Sequence, residues 1–192
     1  MFSGIVATTL PYLGEQDSKH RFSTASWPVR IEVGSSIAVN GVCLTAVEVQ
    51  PEYFAVEIVS ETFSRSNLGD LVPGDLVNVE QSISLGTLLD GNLVQGHVDS
   101  TAEVLAEPPS LRLSLPASFE SLVVEKGAVT INGVALTVSA LGEAYFEVAL
   151  IPETLRRTNL GTLKVGSRVN VEFDLIGKYL ARMIDLRSRA FG

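Results

Sequence analysis

The chain has little of several things, and each shortage removes a class of protein. A single cysteine, Cys43, in 192 residues cannot close an internal disulfide, and two histidines, His20 and His97, are too few soft ligands for an ordinary structural zinc site. Basic residues are outnumbered, 14 Lys and Arg against 22 Asp and Glu for a formal charge of −8, and nowhere do they gather into the patch that a phosphate backbone demands. Nucleic acid is therefore excluded as a partner. No stretch approaches the roughly 20 apolar residues of a membrane span, and Met1-Phe2-Ser3-Gly4-Ile5-Val6 lacks the basic start and apolar run of a secretory signal. The expectation is a cytoplasmic protein that keeps away from membranes. Its chemistry is expected to be metal-free or to use a ligand that the sequence does not announce. Apolar side chains are plentiful, 46% of residues against 19% charged, which excludes disorder and suffices for one domain or two small ones.

Self-similarity decides between those two. Val39-Asn40-Gly41-Val42-Cys43-Leu44-Thr45 returns as Ile131-Asn132-Gly133-Val134-Ala135-Leu136-Thr137, an offset of 92 positions. At the same offset Glu61-Thr62, Arg65 and Asn67-Leu68-Gly69 return as Glu153-Thr154, Arg157 and Asn159-Leu160-Gly161, and Val77-Asn78-Val79-Glu80 returns as Val169-Asn170-Val171-Glu172. Roughly half the positions from Asn40 to Glu80 are identical without a gap, so the chain reads as a tandem duplication. Before Asn40 the match thins, although Gly4-x-Val6 still falls on Gly96-x-Val98 and is expected to mark each unit's first strand.

Each unit reads as antiparallel β. The segments around Asn40-Gly41 and Asn132-Gly133 alternate apolar and polar residues on either side of a pair that accepts positive φ twice, the strongest short hairpin signal. Pro73-Gly74-Asp75, matched by Val165-Gly166-Ser167, turns the chain into the alternating strand Leu76-Val77-Asn78-Val79-Glu80. Short strands at this spacing predict a small closed barrel or sandwich per unit. Ser64 to Leu68 and Arg156 to Leu160 each predict a helical turn. After Asp174 the pattern changes: Ile176, Tyr179, Leu180, Met183 and Ile184 recur at steps of three and four, an amphipathic helix that either packs on its own barrel or associates with another copy.

Three residues break the repeat. Cys43 faces Ala135, His97 faces Ile5, and Asp174 faces Ser82. A lone thiol reads first as a small buried hydrophobe and second as a reactive group; an imidazole is either a proton donor and acceptor near neutral pH or a satisfied histidine at a barrel rim. A lone Asp reads as solvated surface, and His20, in a polar stretch, is expected on the surface. The Glu-Thr pairs suggest either duplicated ligand binding or caps for the following turn.

Taken in order, Met-Phe-Ser-Gly-Ile-Val at the start, Asn-Gly-Val-Cys-Leu-Thr, Gly-His-Val-Asp, Lys126-Gly127 before Asn-Gly-Val-Ala-Leu-Thr, Ile151-Pro152-Glu153-Thr154-Leu155 and Thr158-Asn159-Leu160-Gly161 run the length of the chain. In this order and spacing the sequence resembles the riboflavin synthases of the alpha-chain type. The resemblance implies an all-β fold of two tandem homologous six-stranded antiparallel Greek-key barrels with a C-terminal α-helix. It divides the chain into lumazine-binding barrels over 1–92 and 93–174 and a trimerisation helix over 175–192. It implies dismutation of two 6,7-dimethyl-8-ribityllumazine molecules by four-carbon transfer, in a homotrimer, without metal or cofactor, and leaves open association with lumazine synthase. A lumazine or flavin binder of the same fold without turnover is the alternative.

Carried onto this sequence, the family's active-site positions are Cys43 and His97 as proton-handling or orienting groups, with Ser36 and Asp174 supporting. The ligand-binding positions are Gly4, Ile5, Val6, Cys43, Leu44, Thr45, Glu57, Ile58, Val59, Ser60, Glu61 and Thr62, with Gly96, His97 and Val98. In the second unit they are Lys126, Ala135, Leu136, Thr137, Ala149, Leu150, Ile151, Pro152, Glu153 and Thr154. The sequence departs from the family's pattern at Gly91-Asn92-Leu93, where a second histidine is common, and at Ala135, where serine is.

Overall fold

In the computed structural model, which describes residues 1–25, 27, 30–86 and 88–191, Asn40 and Gly41 take φ of 45° and 78°, and Asn132 and Gly133 take 45° and 81°. Both pairs therefore make two-residue turns with two left-handed residues, whose twist matches that of the strands they join. Those strands are β3 (Ser36–Val39) with β4 (Val42–Val49), and β9 (Ala128–Ile131) with β10 (Val134–Gly142). Around the first hairpin β1 (Thr8–Gln16), β2 (Lys19–Ser23), β5 (Tyr53–Val56) and β6 (Leu76–Gln81) close a barrel in the order β1-β2-β5-β4-β3-β6. Around the second, β7 (Ser100–Ala106), β8 (Ser110–Ser114), β11 (Tyr145–Ala149) and β12 (Arg168–Phe173) close the same ring. All pairings are antiparallel, and register shifts at Tyr12/Gly14 and Ala46/Glu48 recur at Val104/Ala106 and Val138/Ala140. Such bulges bend a flat ladder enough to close it.

Alternation fills each interior. Leu10, Phe22, Ile37, Phe54 and Val77 are fully buried in the first barrel, and Val104, Leu111, Leu113, Phe146 and Val169 in the second. At about 2 kcal/mol for each fully buried aliphatic or aromatic side chain, these interiors dominate stability. Between β5 and β6 the chain forms α1 (Ser60–Arg65) and a 3-10 turn at Asn67–Asp70; α2 (Pro152–Arg157) and Asn159–Thr162 repeat them. Proline at the first turn of α2 and arginines in its last suit the helix start and dipole. The carboxylate of Asp174 accepts the N–H groups of Ile176 at 2.9 Å and Gly177 at 3.2 Å, which starts α3 (Leu175–Phe191).

The barrels meet about a pseudo-twofold seam that the repeated asparagines build. The Asn170 side-chain carbonyl accepts the Asn67 N–H at 2.6 Å while its amide donates to the Asn40 carbonyl at 2.8 Å. Asn78 does the same for Asn159 and Asn132, at 2.8 Å each. At the axis a Cβ on Gly41 would stand 2.6 Å from the Gly133 nitrogen, so both turns require glycine for the barrels to touch.

Two expectations change here. Gly4-x-Val6 and Gly96-x-Val98 are not strands but straps that cross the seam just after the Phe2–Val94 bridge, with Gly4 and Gly96 at φ of 74° and 79°, and the strands begin at Thr8 and Ser100. Val6 joins the core of the second barrel, and Val98 packs against that of the first. His20 is buried, not on the surface: it faces into the first barrel from β2 with Nδ1 2.8 Å from the Tyr12 hydroxyl. A pattern of alternate burial along β2, which places His20 and Phe22 inside together, overrides the local polarity of the sequence.

Candidate functional site

Each strap closes a cavity on the opposite barrel. The first, of about 280 Å³, is lined by Val42, Cys43, Glu61, Thr62, Arg65 and Ser66 of the first barrel and by Gly96, His97 and Val98 of the crossing strap. The second, of about 350 Å³, is lined by Val134, Ala135, Glu153, Thr154, Arg157 and Thr158 with Gly4, Ile5 and Val6. Residue for residue the two linings correspond at the repeat offset. Each volume lies near the lower end of small-molecule sites, about 300–1,000 Å³, so each suits one small ligand.

The straps are seated by backbone pairing. The Cys43 N–H donates to the Gly96 carbonyl at 2.8 Å, and the Ala135 N–H donates to the Gly4 carbonyl at 2.9 Å. A Cβ on Gly96 would lie 2.6 Å from the Cys43 Cβ, so only glycine lets the strap approach this closely. The far wall is the short helix: Glu61 pairs with Arg65 at 3.1 Å and Glu153 with Arg157, one turn apart in each, leaving a carboxylate, a guanidinium and a threonine at each rim.

Chemically the cavities differ. The first holds a thiol and an imidazole where the second holds Ala135 and Ile5, while the hydroxyls of Ser66 and Thr158 correspond. Cys43 is half-buried, and burial pushes its thiol up from the usual value, with a hydrogen bond to Ser36 pulling the other way. The thiol is therefore a neutral group at pH 7, a weak donor and not a ready nucleophile. His97 is exposed at the cavity edge and presents an imidazole to whatever binds there.

The remaining positions divide into four groups. Ser36 stands beside Cys43 on β3, and Thr45 and Thr137 are exposed on the adjoining strands. Glu57, Ile58 and Val59 lead into α1, which Ser60 begins, and Ala149 and Ile151 lead into α2, which Pro152 begins; Val59 and Ile151 are large exposed apolar residues there. Leu44, Leu136 and Leu150 turn into the barrel cores, leaving only backbone for a ligand. Lys126 is an exposed turn residue with φ of 65°, and Asp174 caps α3 with a 3.3 Å contact from Asn92; neither lines a strap-closed cavity within one chain. Glu80, Glu172 and the arginines at the rims have no role in the sequence reading, though each recurs at the repeat offset, the one signal that could have singled them out. Among the described residues no cluster of His, Cys, Asp and Glu could hold a metal ion, and no helix is long and apolar enough to cross a membrane.

Twin barrels with one small-ligand cavity each, matched in outline and unequal in reactive groups, define a duplicated ligand-binding protein. The chain belongs to the lumazine-binding domain family, whose model matches residues 3–82 and again 95–174. It is 50% identical over 160 residues to the riboflavin synthase of Mycobacterium tuberculosis (strain ATCC 25618 / H37Rv), covering 79% of this chain and 80% of that one. It is 34% identical over 193 residues to the riboflavin synthase of Bacillus subtilis (strain 168), covering 96% and 90%. Among solved structures it superposes on LumP complexed with 6,7-dimethyl-8-(1'-D-ribityl) lumazine with a TM-score of 0.76 at 25% identity, covering 90% of this chain and 98% of that one. It superposes on LumP complexed with riboflavin with a TM-score of 0.75 at 27% identity, covering 90% and 99%.

Proposed function

We propose that this chain is a riboflavin synthase, which dismutates two molecules of 6,7-dimethyl-8-ribityllumazine to riboflavin and 5-amino-6-ribitylaminouracil. The observation that carries the reading is the residue-for-residue match of two cavities in one chain. A reaction between two copies of one substrate needs two copies of one pocket, and fixing the ring systems against each other replaces a rare encounter by a standing one. Every atom of the two substrates appears in the two products, so the transfer of four carbons needs no oxidant and no third reactant.

The donor must release a proton from its acidic methyl group, and the adjoining ring carbon must accommodate an added nucleophile. His97 is the proton-handling group of the first cavity, with Cys43 orienting the ring as a neutral thiol and Ser36 steadying that thiol. Strap backbone at Gly4, Ile5 and Val6 and at Gly96, His97 and Val98 holds the ring edges, and Thr62 and Thr154 with their neighbouring glutamates meet the ribityl chains. Asp174 lines the apolar groove of about 680 Å³ beneath α3, and Ile176, Tyr179, Met183 and Ile184 on that helix are more than half exposed. An apolar stripe of this kind is covered by another copy. The assembly is a cytoplasmic homotrimer, and in it Asp174 of one subunit serves a cavity of the next.

The test is turnover with the lumazine alone. Riboflavin and the pyrimidine should form in equal amounts; tight lumazine binding with no riboflavin after long incubation would make the protein a carrier instead.

A further inference from the structure

Two carboxylates play no part in that chemistry, yet both are buried and both are aimed at the straps. Glu172, on β12 of the second barrel, accepts the N–H groups of Gln95 at 2.7 Å, Gly96 at 2.9 Å and His97 at 3.0 Å. Gly96 in turn receives the Cys43 N–H through its carbonyl. A side chain rooted in the second barrel thus fixes three consecutive amides of the wall that closes the first cavity, His97 among them. Glu80, on β6 of the first barrel, is the mirror image. It accepts the Ser3 N–H at 2.6 Å, the Ser3 hydroxyl at 2.7 Å and the Gly4 N–H at 3.0 Å, and Gly4 receives the Ala135 N–H at the second cavity.

A carboxylate is placed out of water only where its oxygens are filled with donors, and here the donors are strap backbone. An amide in its place keeps the shape but turns an NH2 group toward N–H donors that it cannot satisfy. We propose that Glu172 and Glu80 are positioning residues that act crosswise: Glu172 of the second barrel sets ligand affinity in the first cavity, and Glu80 of the first barrel sets it in the second. The proposal rests on the reading that both cavities take a lumazine or flavin ring.

The experiment titrates the full-length protein and its E172Q and E80Q variants with riboflavin, following backbone amide NMR signals of Thr62 and Ser66 for the first cavity and of Thr154 and Thr158 for the second. E172Q should weaken riboflavin at the first cavity by about tenfold or more, the scale of losing charge-assisted hydrogen bonds, and leave the second essentially as it was. E80Q should do the reverse. The unaffected cavity is the internal control, because a general loosening of the fold weakens both. Equal weakening of both cavities, or weakening only in the variant's own barrel, overturns the proposal. Absence of riboflavin binding to the parent protein overturns the functional reading and the proposal with it, whereas parent binding at both cavities without a crosswise effect overturns the positioning role alone. Should E172Q not fold, E80Q decides the matter, and E172D, which keeps the charge but withdraws it by one methylene, should retain part of the affinity of the first cavity.

Discussion

At the first cavity the strap adds His97 to a lining that includes Cys43; at the second, the equivalent strap adds Ile5 to one that includes Ala135, while glutamate, threonine and arginine repeat unchanged on the facing helix. The carboxylate, threonine and guanidinium are common to both cavities, and the imidazole and thiol occur in one. The same contrast runs into the cores. His20 pairs with Val56 as Leu111 pairs with Val148, so the buried Tyr12–His20 pair of the first barrel stands where the second has Val104 and Leu111. A duplicated fold can thus diverge at single positions without loss of its geometry, because the seam and the straps are held by residues common to both halves.

The largest effect should come from breaking the symmetry of the seam itself. Asn170→Ala strands the Asn67 N–H and the Asn40 carbonyl, and Asn78→Ala strands their mirror partners; each should cost about 2–4 kcal/mol in denaturant unfolding. If one variant proved far milder than the other, the two halves would not share the seam equally.

Next in size is the difference between the cavities. His97→Ala should slow single-turnover riboflavin formation by about a hundredfold with an unchanged melting temperature, whereas Ile5→Ala should change the rate far less. Equal effects would remove the imidazole from the chemistry and make the cavities functionally alike.

A smaller effect is expected at the thiol. Cys43→Ser should retain partial activity, within about tenfold of the parent, since a neutral donor replaces a neutral donor. Because burial raises the thiol, alkylation by iodoacetamide should be slow at pH 7.5 and accelerate only above the ordinary thiol range. Rapid modification at neutral pH would instead mark an activated nucleophile.

The smallest effect concerns acid sensitivity of the first barrel. Burial lowers His20 below its ordinary 6.5, so the folded protein binds its proton less readily than the unfolded chain does. The stability this confers is complete above pH 6.5 and is lost as pH falls through the depressed value. Burial raises Glu80 and Glu172, whose contributions run the other way and decline as pH rises. Comparing urea unfolding of the parent with that of His20→Leu, which copies Leu111, subtracts the glutamates; the variant should lose less stability between pH 7 and pH 5. An identical slope would show that His20 does not titrate in this range.

The sequence by itself determined the duplication, the paired Asn-Gly hairpins, the antiparallel β class and the terminal helix, because each rests on spacing that survives in one dimension: an offset of 92, a period of two, or steps of three and four. The same spacing fits a barrel or a sandwich, and the pairing of β1 with β6 and of β7 with β12 closes the barrels. The sequence also singled out Cys43 and His97, since a break in a repeat is visible without coordinates. Only the tertiary structure decided which barrel each strap leans on. A tandem repeat is unchanged by exchanging its straps, so Gly4-x-Val6 and Gly96-x-Val98 fit either arrangement equally well on paper. Their choice is made by partners about 75 residues away along the chain, the carboxylates of Glu80 and Glu172, and by asparagines from opposite halves that meet across the seam. Buried polar groups must find one another in space wherever the chain allows, and that requirement leaves no local pattern in the sequence.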